Sequence, residues 1–277
     1  MASCPLPWLG AIEEQSMGNG NDQSQSQALE QAKDERGRIK GVFSTKTVSK
    51  VGTGTTQRKT VKKNYFMVTE QDDGKVEVQV LNSNYVPSGK RRLVPKEELL
   101  QKFSPEPEFY TYTVYPKMRE LQKTVARADR HRQQGETFSA EYEYSNALKV
   151  DEENIRANFG IGLTYLDRGE QEKANDIFER LIKLEAAFEN EHKHLFNDFG
   201  ISLRKNGMFD QCLEYYQRAL ELCNDDEHLY LNMARVYWEK GHKDRTVEYV
   251  KKALQVNPGF EIGKKFLEFL QKKGLTE

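Results

Sequence analysis

Residues 227–260 read EHLYLNMARVYWEKGHKDRTVEYVKKALQVNPGF, and this stretch decides the fold. Gly241 stands at position 15 of the 34 and separates two helical stretches. Three more glycines, Gly135, Gly169 and Gly207, precede it, and the intervals along the set are 34, 38 and 34 residues. A fixed period in this range marks a repeat architecture. Glycine is suited to the place because it ends a helix in the left-handed conformation without Cβ strain.

Setting each glycine at position 15 defines units 121–154, 155–188, 193–226 and 227–260, with Glu189–His192 inserted after the second. Position 8 then reads Ala128, Gly162, Gly200, Ala234, and position 20 reads Ala140, Ala174, Cys212, Thr246. Position 24 reads Tyr144, Phe178, Tyr216, Val250, and position 27 reads Ala147, Leu181, Ala219, Ala253. Small residues let two helices approach, and large ones fill the space beside them. The expected structure is therefore a stack of four helical hairpins. Residues 261–273 continue as an apolar-periodic helix that closes the open end, as the last unit of a stack requires.

The pattern resembles the tetratricopeptide repeat (TPR) family. Unit 227–260 carries Tyr230, Met233, Ala234, Tyr237, Gly241, Ala253 and Pro258 in the family's positions. Unit 155–188 carries Gly162, Tyr165, Gly169, Ala174 and Phe178, but Asn158 and Ala186 replace the usual aromatic and proline. Unit 193–226 has Phe196, Gly200, Gly207, Tyr216 and Ala219. Unit 121–154 departs most, at Thr124, Arg127 and His131. The resemblance implies a mainly α solenoid that binds a protein or peptide partner in a concave groove built by the first helices; no Ser/His/Asp or Cys/His set has supporting sequence context, so neither enzymatic activity nor a cofactor is expected. Positions 2, 5, 6, 9, 12 and 13 would face that groove. They include Arg156, Asp167, His194, Asn197, Asp198, Arg204, Lys205, His228, Asn232, Arg235, Trp238 and Glu239. Trp238 and Arg235 are of the residue types most often found as binding hot spots. The plainer alternative is that these are solvated helix faces. The family's carboxylate-clamp positions hold Phe159, Leu163, Asp198, His228 and Asn232 in one register, and Val125, Asp129, Gly160, His194 and Asp198 in the other. The cations of that clamp are missing, so capture of a chaperone tail is not expected.

Before the repeats the chain changes character twice. Residues 1–36 are polar, carry a net charge of −4, and are expected to be disordered. Either Met1 or Met17 serves as the start. Residues 37–102 hold 14 bases and 6 acids. From Gly37 to Thr69 there is no acid at all, and the β-favouring Thr, Ser and Val separate the bases. Asn64–Thr69 and Lys75–Val80, joined through Asp73-Gly74, read as a hairpin with Val76, Val78 and Val80 on one face. A small basic β-rich domain is expected over 37–103, closed by a helical turn after Pro95. A stiff linker would span 104–115, and the repeat domain 116–277.

The basic segment, with Lys46, Lys50, Arg58, Lys59, Lys62 and Lys63, offers a second functional class, a nucleic-acid-associated factor. A third is a structural subunit of a stable assembly. Val51-Gly-Thr-Gly-Thr-Thr56 lacks the Gly-Lys-Ser/Thr ending of a phosphate loop and reads as a plain loop. His192 and His194 have no third ligand at a metal spacing, and no metal is expected. Three cysteines, Cys4, Cys212 and Cys223, show no disulfide framework and suit a reducing, cytoplasmic setting. No apolar run is long enough for a membrane span, and no small-molecule substrate is expected.

Overall fold

The computed structural model describes residues 38–51, 58–188, 192–222 and 226–275, with side chains described outside 48–51 and 58–61. The expected disordered tail, Cys4, Cys223, most of the 51–56 loop and Glu189–Glu191 of the insertion lie outside the described residues.

A five-stranded antiparallel sheet comes first. Its strands are β1 (Lys40–Val51), β2 (Arg58–Glu70), β3 (Val76–Val80), β4 (Arg92–Val94) and β5 (Ser104–Pro105), in the order β4-β3-β2-β1-β5. The hairpin read from the sequence is β2–β3, with Val68 opposite Val78. One face of the sheet packs Val68, Val76, Val78 and Val94 beneath Leu99 of helix α1 (Lys96–Lys102). The opposite face packs Val42 and Met67 against Val114, Phe109 and Met118 at the entry to the repeats.

The expected linker takes a different form. Ser104 and Pro105 pair with Ser44 and Phe43 as the edge strand β5. Pro107–Phe109 and a π-helical turn, Tyr110–Val114, then lead directly into helix α2 (Tyr115–Gln133). Proline is tolerated on a sheet edge because no partner strand needs its missing N–H. The loop after β3 fastens the sheet to the first repeat corner. Asn82 and Asn84 donate from their Nδ2 atoms to the Val150 carbonyl, each at 2.9 Å, and Ser88 Oγ donates to Asp151 at 2.6 Å. Val86, fully buried, enters the core of the repeats. Sheet and repeats thus share an interface of packed and bonded groups.

The hairpins follow as α2/α3 (α3, Thr137–Val150), α4/α5 (Ile155–Asp167, Gln171–Leu181), α6/α7 (Lys193–Lys205, Phe209–Leu222) and α8/α9 (Glu227–Glu239, Lys243–Val256). Helix α10 (Glu261–Lys272) covers the last. All four ruler glycines have φ between 73° and 80°. At Gly241 the first helix closes with the amide of Gly241 on the Trp238 carbonyl and that of His242 on the Tyr237 carbonyl, which satisfies two orphan acceptors. Before the insertion the pattern shortens. Helix α5 stops at Leu181, and a 3₁₀ turn, Glu185–Phe188, takes the place of its last turn.

Asp226 caps α8. Its carboxylate accepts from the amides of His228 (2.9 Å) and Leu229 (3.4 Å) and meets Lys193 of α6 at 2.7 Å. Burial opposes its ionisation, but the Lys193 ammonium and the His228 amide outweigh burial and hold the carboxyl below its ordinary value. Asp226→Ala should cost about 1–2 kcal/mol in urea unfolding. The folded pKa is lowered, so the contribution is complete above the unfolded value of about 3.9 and fades as pH falls through the folded one. The gap between wild type and variant should be full at pH 6 and narrow below about pH 4. A gap independent of pH would remove the ionised cap from the account.

Candidate functional site

The inner positions of the repeats separate into two accessible regions. In unit 2, positions 5, 6, 9 and 12 are Phe159, Gly160, Leu163 and Leu166, and all four are buried. Of α4, only Arg156 and Asp167 are exposed. A helix that is apolar all round is a buried helix, and the Ile155–Leu166 stretch shows this in its composition. The middle of the stack therefore contributes packing and offers no groove floor.

The first accessible region lies at the N-terminal end. There the sheet faces the repeats across a cleft of about 970 Å³, lined by Met67, Glu77 and Gln79 on one side and Leu121, Val125 and Arg156 on the other. Arg156 is exposed and reaches Asp129 at 2.6 Å. Asp129 also accepts the Tyr144 hydroxyl. Sequence reading did not anticipate this cleft. It depends on the docking of the 81–91 loop, which no periodicity reports.

The second region lies between units 3 and 4. Arg204, at position 12 of unit 3, pairs with Glu239, at position 13 of unit 4. The same rung recurs at the other end of the stack, where Arg132 and Asp167 stand 3.6 Å apart at positions 12 and 13 of units 1 and 2. Arg235 donates to Asn232 Oδ1 at 3.2 Å. Among the described residues Arg235 has no carboxylate in ion-pair contact. Burial, followed by the nearby Arg204 charge, pulls its pKa down from the ordinary guanidinium value. Glu239 thus pairs with Arg204 alone, although its charge is also felt by Arg235. Asn197 is half-buried, and His194, Lys205 and Asp198 are exposed along α6.

Trp238 departs from the expectation. Its ring meets Phe269 edge-on at 5.4 Å and Phe266 at 6.5 Å, both on α10. It seats the closing helix, and the part of its surface that the sequence assigned to a partner is shared with that helix. His228 likewise stacks edge-on against Phe260 at 4.8 Å.

On the sheet, Lys46, Lys62 and Lys63 are exposed, and Lys63 pairs with Glu106. The side chains of Lys50, Arg58 and Lys59 lie outside the described residues. Cys212 is buried, donates to the Gly200 carbonyl at 3.3 Å, and has its thiol pushed up to about 12 by burial. That makes it a packing residue rather than a nucleophile. Among the described residues no group of three or more His, Cys, Asp and Glu side chains is placed to hold a metal ion. No described helix is long and apolar enough to cross a membrane.

Family profiles described as tetratricopeptide repeats match residues 156–185, 194–226 and 227–260. The chain carries tetratricopeptide repeats. Unit 121–154, whose hairpin has the same geometry, falls outside the matched residues. Among curated proteins, the Photosystem I assembly protein Ycf3 of Prochlorococcus marinus subsp. pastoris is 31% identical over 86 residues, covering 30% of this chain and 50% of that protein. A TPR repeat-containing protein of Methanocaldococcus jannaschii is 25% identical over 122 residues, covering 42% of this chain and 21% of its own. The chain thus spans half or less of the length of these relatives. Among solved structures, one of the protein MamA aligns with a TM-score of 0.43 at 22% identity, covering 56% of this chain and 83% of that one.

Proposed function

We propose that this chain is a non-enzymatic scaffold that holds a segment of a protein partner on the inner side of units 3 and 4, with an acidic side chain of the partner received by Arg235. The observation that carries this reading is the unequal charge count on that surface. Arg204 and Arg235 stand near one another, Glu239 neutralises Arg204, and among the described residues the Arg235 fork donates to Asn232 alone. A guanidinium is well suited to bidentate recognition of a carboxylate. Asn197 and Asn232 supply uncharged donors and acceptors for the backbone of an extended segment. The sheet beside units 1 and 2 limits where such a segment can leave the groove and adds a second contact surface at the cleft.

A peptide display library tests the proposal. Selection on the full chain should enrich sequences with a Glu or Asp at a constant place. Arg235→Ala should weaken the enriched peptides by roughly 10- to 100-fold, as expected for a charged hydrogen bond of about 1.5–3 kcal/mol, while Arg235→Lys should recover part of the loss. Enrichment without an acidic preference, or affinities unchanged by Arg235→Ala, would rule the reading out.

A further inference from the structure

Among the described residues Tyr85 alone, apart from glycines, has a positive φ, at 61°. A bulky side chain rarely adopts that conformation. The turn imposes it. The Tyr85 amide donates to the Asn82 carbonyl at 3.0 Å, Asn82 Oδ1 accepts from the amides of Asn84 and Val86, and Asn82 is itself fastened to the Val150 carbonyl. Glycine or asparagine would meet this requirement with less strain. A tyrosine stands where its backbone is disfavoured, so the compensating gain comes from its ring.

That ring is 38% exposed and belongs to a cluster of three. It meets Phe109 edge-on at 5.2 Å and Tyr65 at 6.5 Å, and the rings of Tyr65 and Phe109 lie 4.4 Å apart. Lysines border the cluster. The Lys117 ammonium, on α2, stands 4.7 Å from the centre of the Tyr85 ring, and that of Lys63 stands 5.3 Å from the centre of the Tyr65 ring. Lys46 lies opposite Lys63 in the pairing of β1 with β2. Side chains alternate along a strand, and directly paired residues share a face, so Lys46, Lys63 and Tyr65 emerge on the same face. Glu106 pairs with Lys63. Lys46 and Lys117 are exposed, and neither has a carboxylate in ion-pair contact among the described residues.

This set makes two demands on a ligand. Three ammonium groups beside one carboxylate call for an anion, and they disfavour a further cation over the rings. Aromatic rings at a surface call for a flat π system. A nucleotide unit meets both demands, with its phosphate and its base. The Lys117 contact with an exposed ring is weaker than the stacking of a nucleobase on the same ring. A base can therefore displace the ammonium, which is then free to meet a phosphate. A duplex keeps its bases stacked inside the helix, whereas an unpaired strand can turn them outward. With Tyr85 more than a third exposed, the surface is open, and a chain of linked nucleotides is held there at several points.

We infer that Tyr85, backed by Tyr65 and Phe109, is a stacking platform for single-stranded nucleic acid whose phosphates are held by Lys46, Lys63 and Lys117. The platform is separate from Arg235 in unit 4, so a strand and a protein partner can be held together by one chain.

Fluorescence anisotropy of the full chain with a labelled oligothymidylate of about 15 nucleotides tests this inference. About three phosphate contacts on a single strand give a log–log salt slope near −2, so raising salt from about 50 to 200 mM should weaken binding roughly 20-fold. Tyr85→Asn removes the ring and keeps a residue that tolerates the left-handed turn, and it should weaken binding by roughly 10- to 100-fold. Tyr85→Phe should bind as the wild type does. Lys46→Gln combined with Lys117→Gln changes exposed side chains only, so it should leave the urea midpoint in place and reduce the slope to about −0.7. No binding of the strand at about 50 mM salt would overturn the inference. So would an affinity left unchanged by Tyr85→Asn or by the lysine pair, or tighter binding of a duplex, of thymidine monophosphate or of phosphatidylserine vesicles than of the strand. Failure here leaves the Arg235 selection untouched, because that experiment reads a different surface.

Discussion

Trp238→Ala is expected to loosen the C-terminal end of the stack, and to do so before any partner is added. The indole packs between the last hairpin and α10, edge-on to Phe266 and Phe269, within the cluster formed by Leu231, Ala234, Val250, Ala253 and Leu270. Truncating a fully buried aromatic costs about 3–5 kcal/mol. Trp238 is half-buried, and a loss of roughly 2–4 kcal/mol follows. In a repeat stack the damage should be local. Terminal units have a neighbour on one side only, so α10 and unit 4 should lose hydrogen-exchange protection while units 1 and 2 keep theirs. Trp238→Phe should retain most of the protection, since a phenyl ring can still meet Phe269 edge-on. A variant that keeps wild-type protection in α10 but loses a peptide selected on the groove would return Trp238 to the role read from the sequence.

That contrast shows where sequence reading stops. The glycine ruler and the small–large alternation at positions 8 and 24 depend on backbone geometry, which repeats with the sequence. Positions such as Gly200 and Tyr216 were therefore legible as packing partners. The surface of a repeat depends on what lies beside it, and that information is not periodic. Trp238 occupies a position facing the groove in a middle repeat, but its neighbour here is the closing helix. Ser104–Glu108 has the proline density of a linker, yet Pro105 lies on a sheet edge, where proline is harmless. Asn82, Asn84 and Ser88 look like ordinary turn residues until the α3–α4 corner comes within bonding distance. The burial of α4 was the exception. Its unbroken apolar run, Phe159–Leu163, is visible in the sequence and marks a buried helix.

Gly160→Ala should be strongly damaging, since its added Cβ makes the shortest contact among the described glycines. Gly160 lies mid-helix, where alanine is favoured over glycine by about 1 kcal/mol in helix propensity. A Cβ there would stand 2.1 Å from Tyr144 Cζ and 2.5 Å from its hydroxyl oxygen. A ring end can often swing aside, but this one has little freedom. Tyr144 is fully buried, and its hydroxyl is bonded to Asp129, which in turn holds Arg156. Moving the ring breaks that chain of contacts and disturbs the joint between units 1 and 2. Overpacking of this kind costs about 1–3 kcal/mol and occasionally more. With a bonded ring as the obstacle, the cost should exceed the propensity gain, leaving a net loss of about 2 kcal/mol by urea unfolding. A double-mutant cycle isolates the cause. Tyr144→Leu removes the ring end, so Gly160→Ala made on that background should lose at least half of its cost. Gly200→Ala sets a Cβ 2.4 Å from the Tyr216 hydroxyl oxygen and should behave alike, with Tyr216→Leu as its partner. Equal costs with and without the ring would mean that the glycines serve the helix backbone rather than the contact between helices.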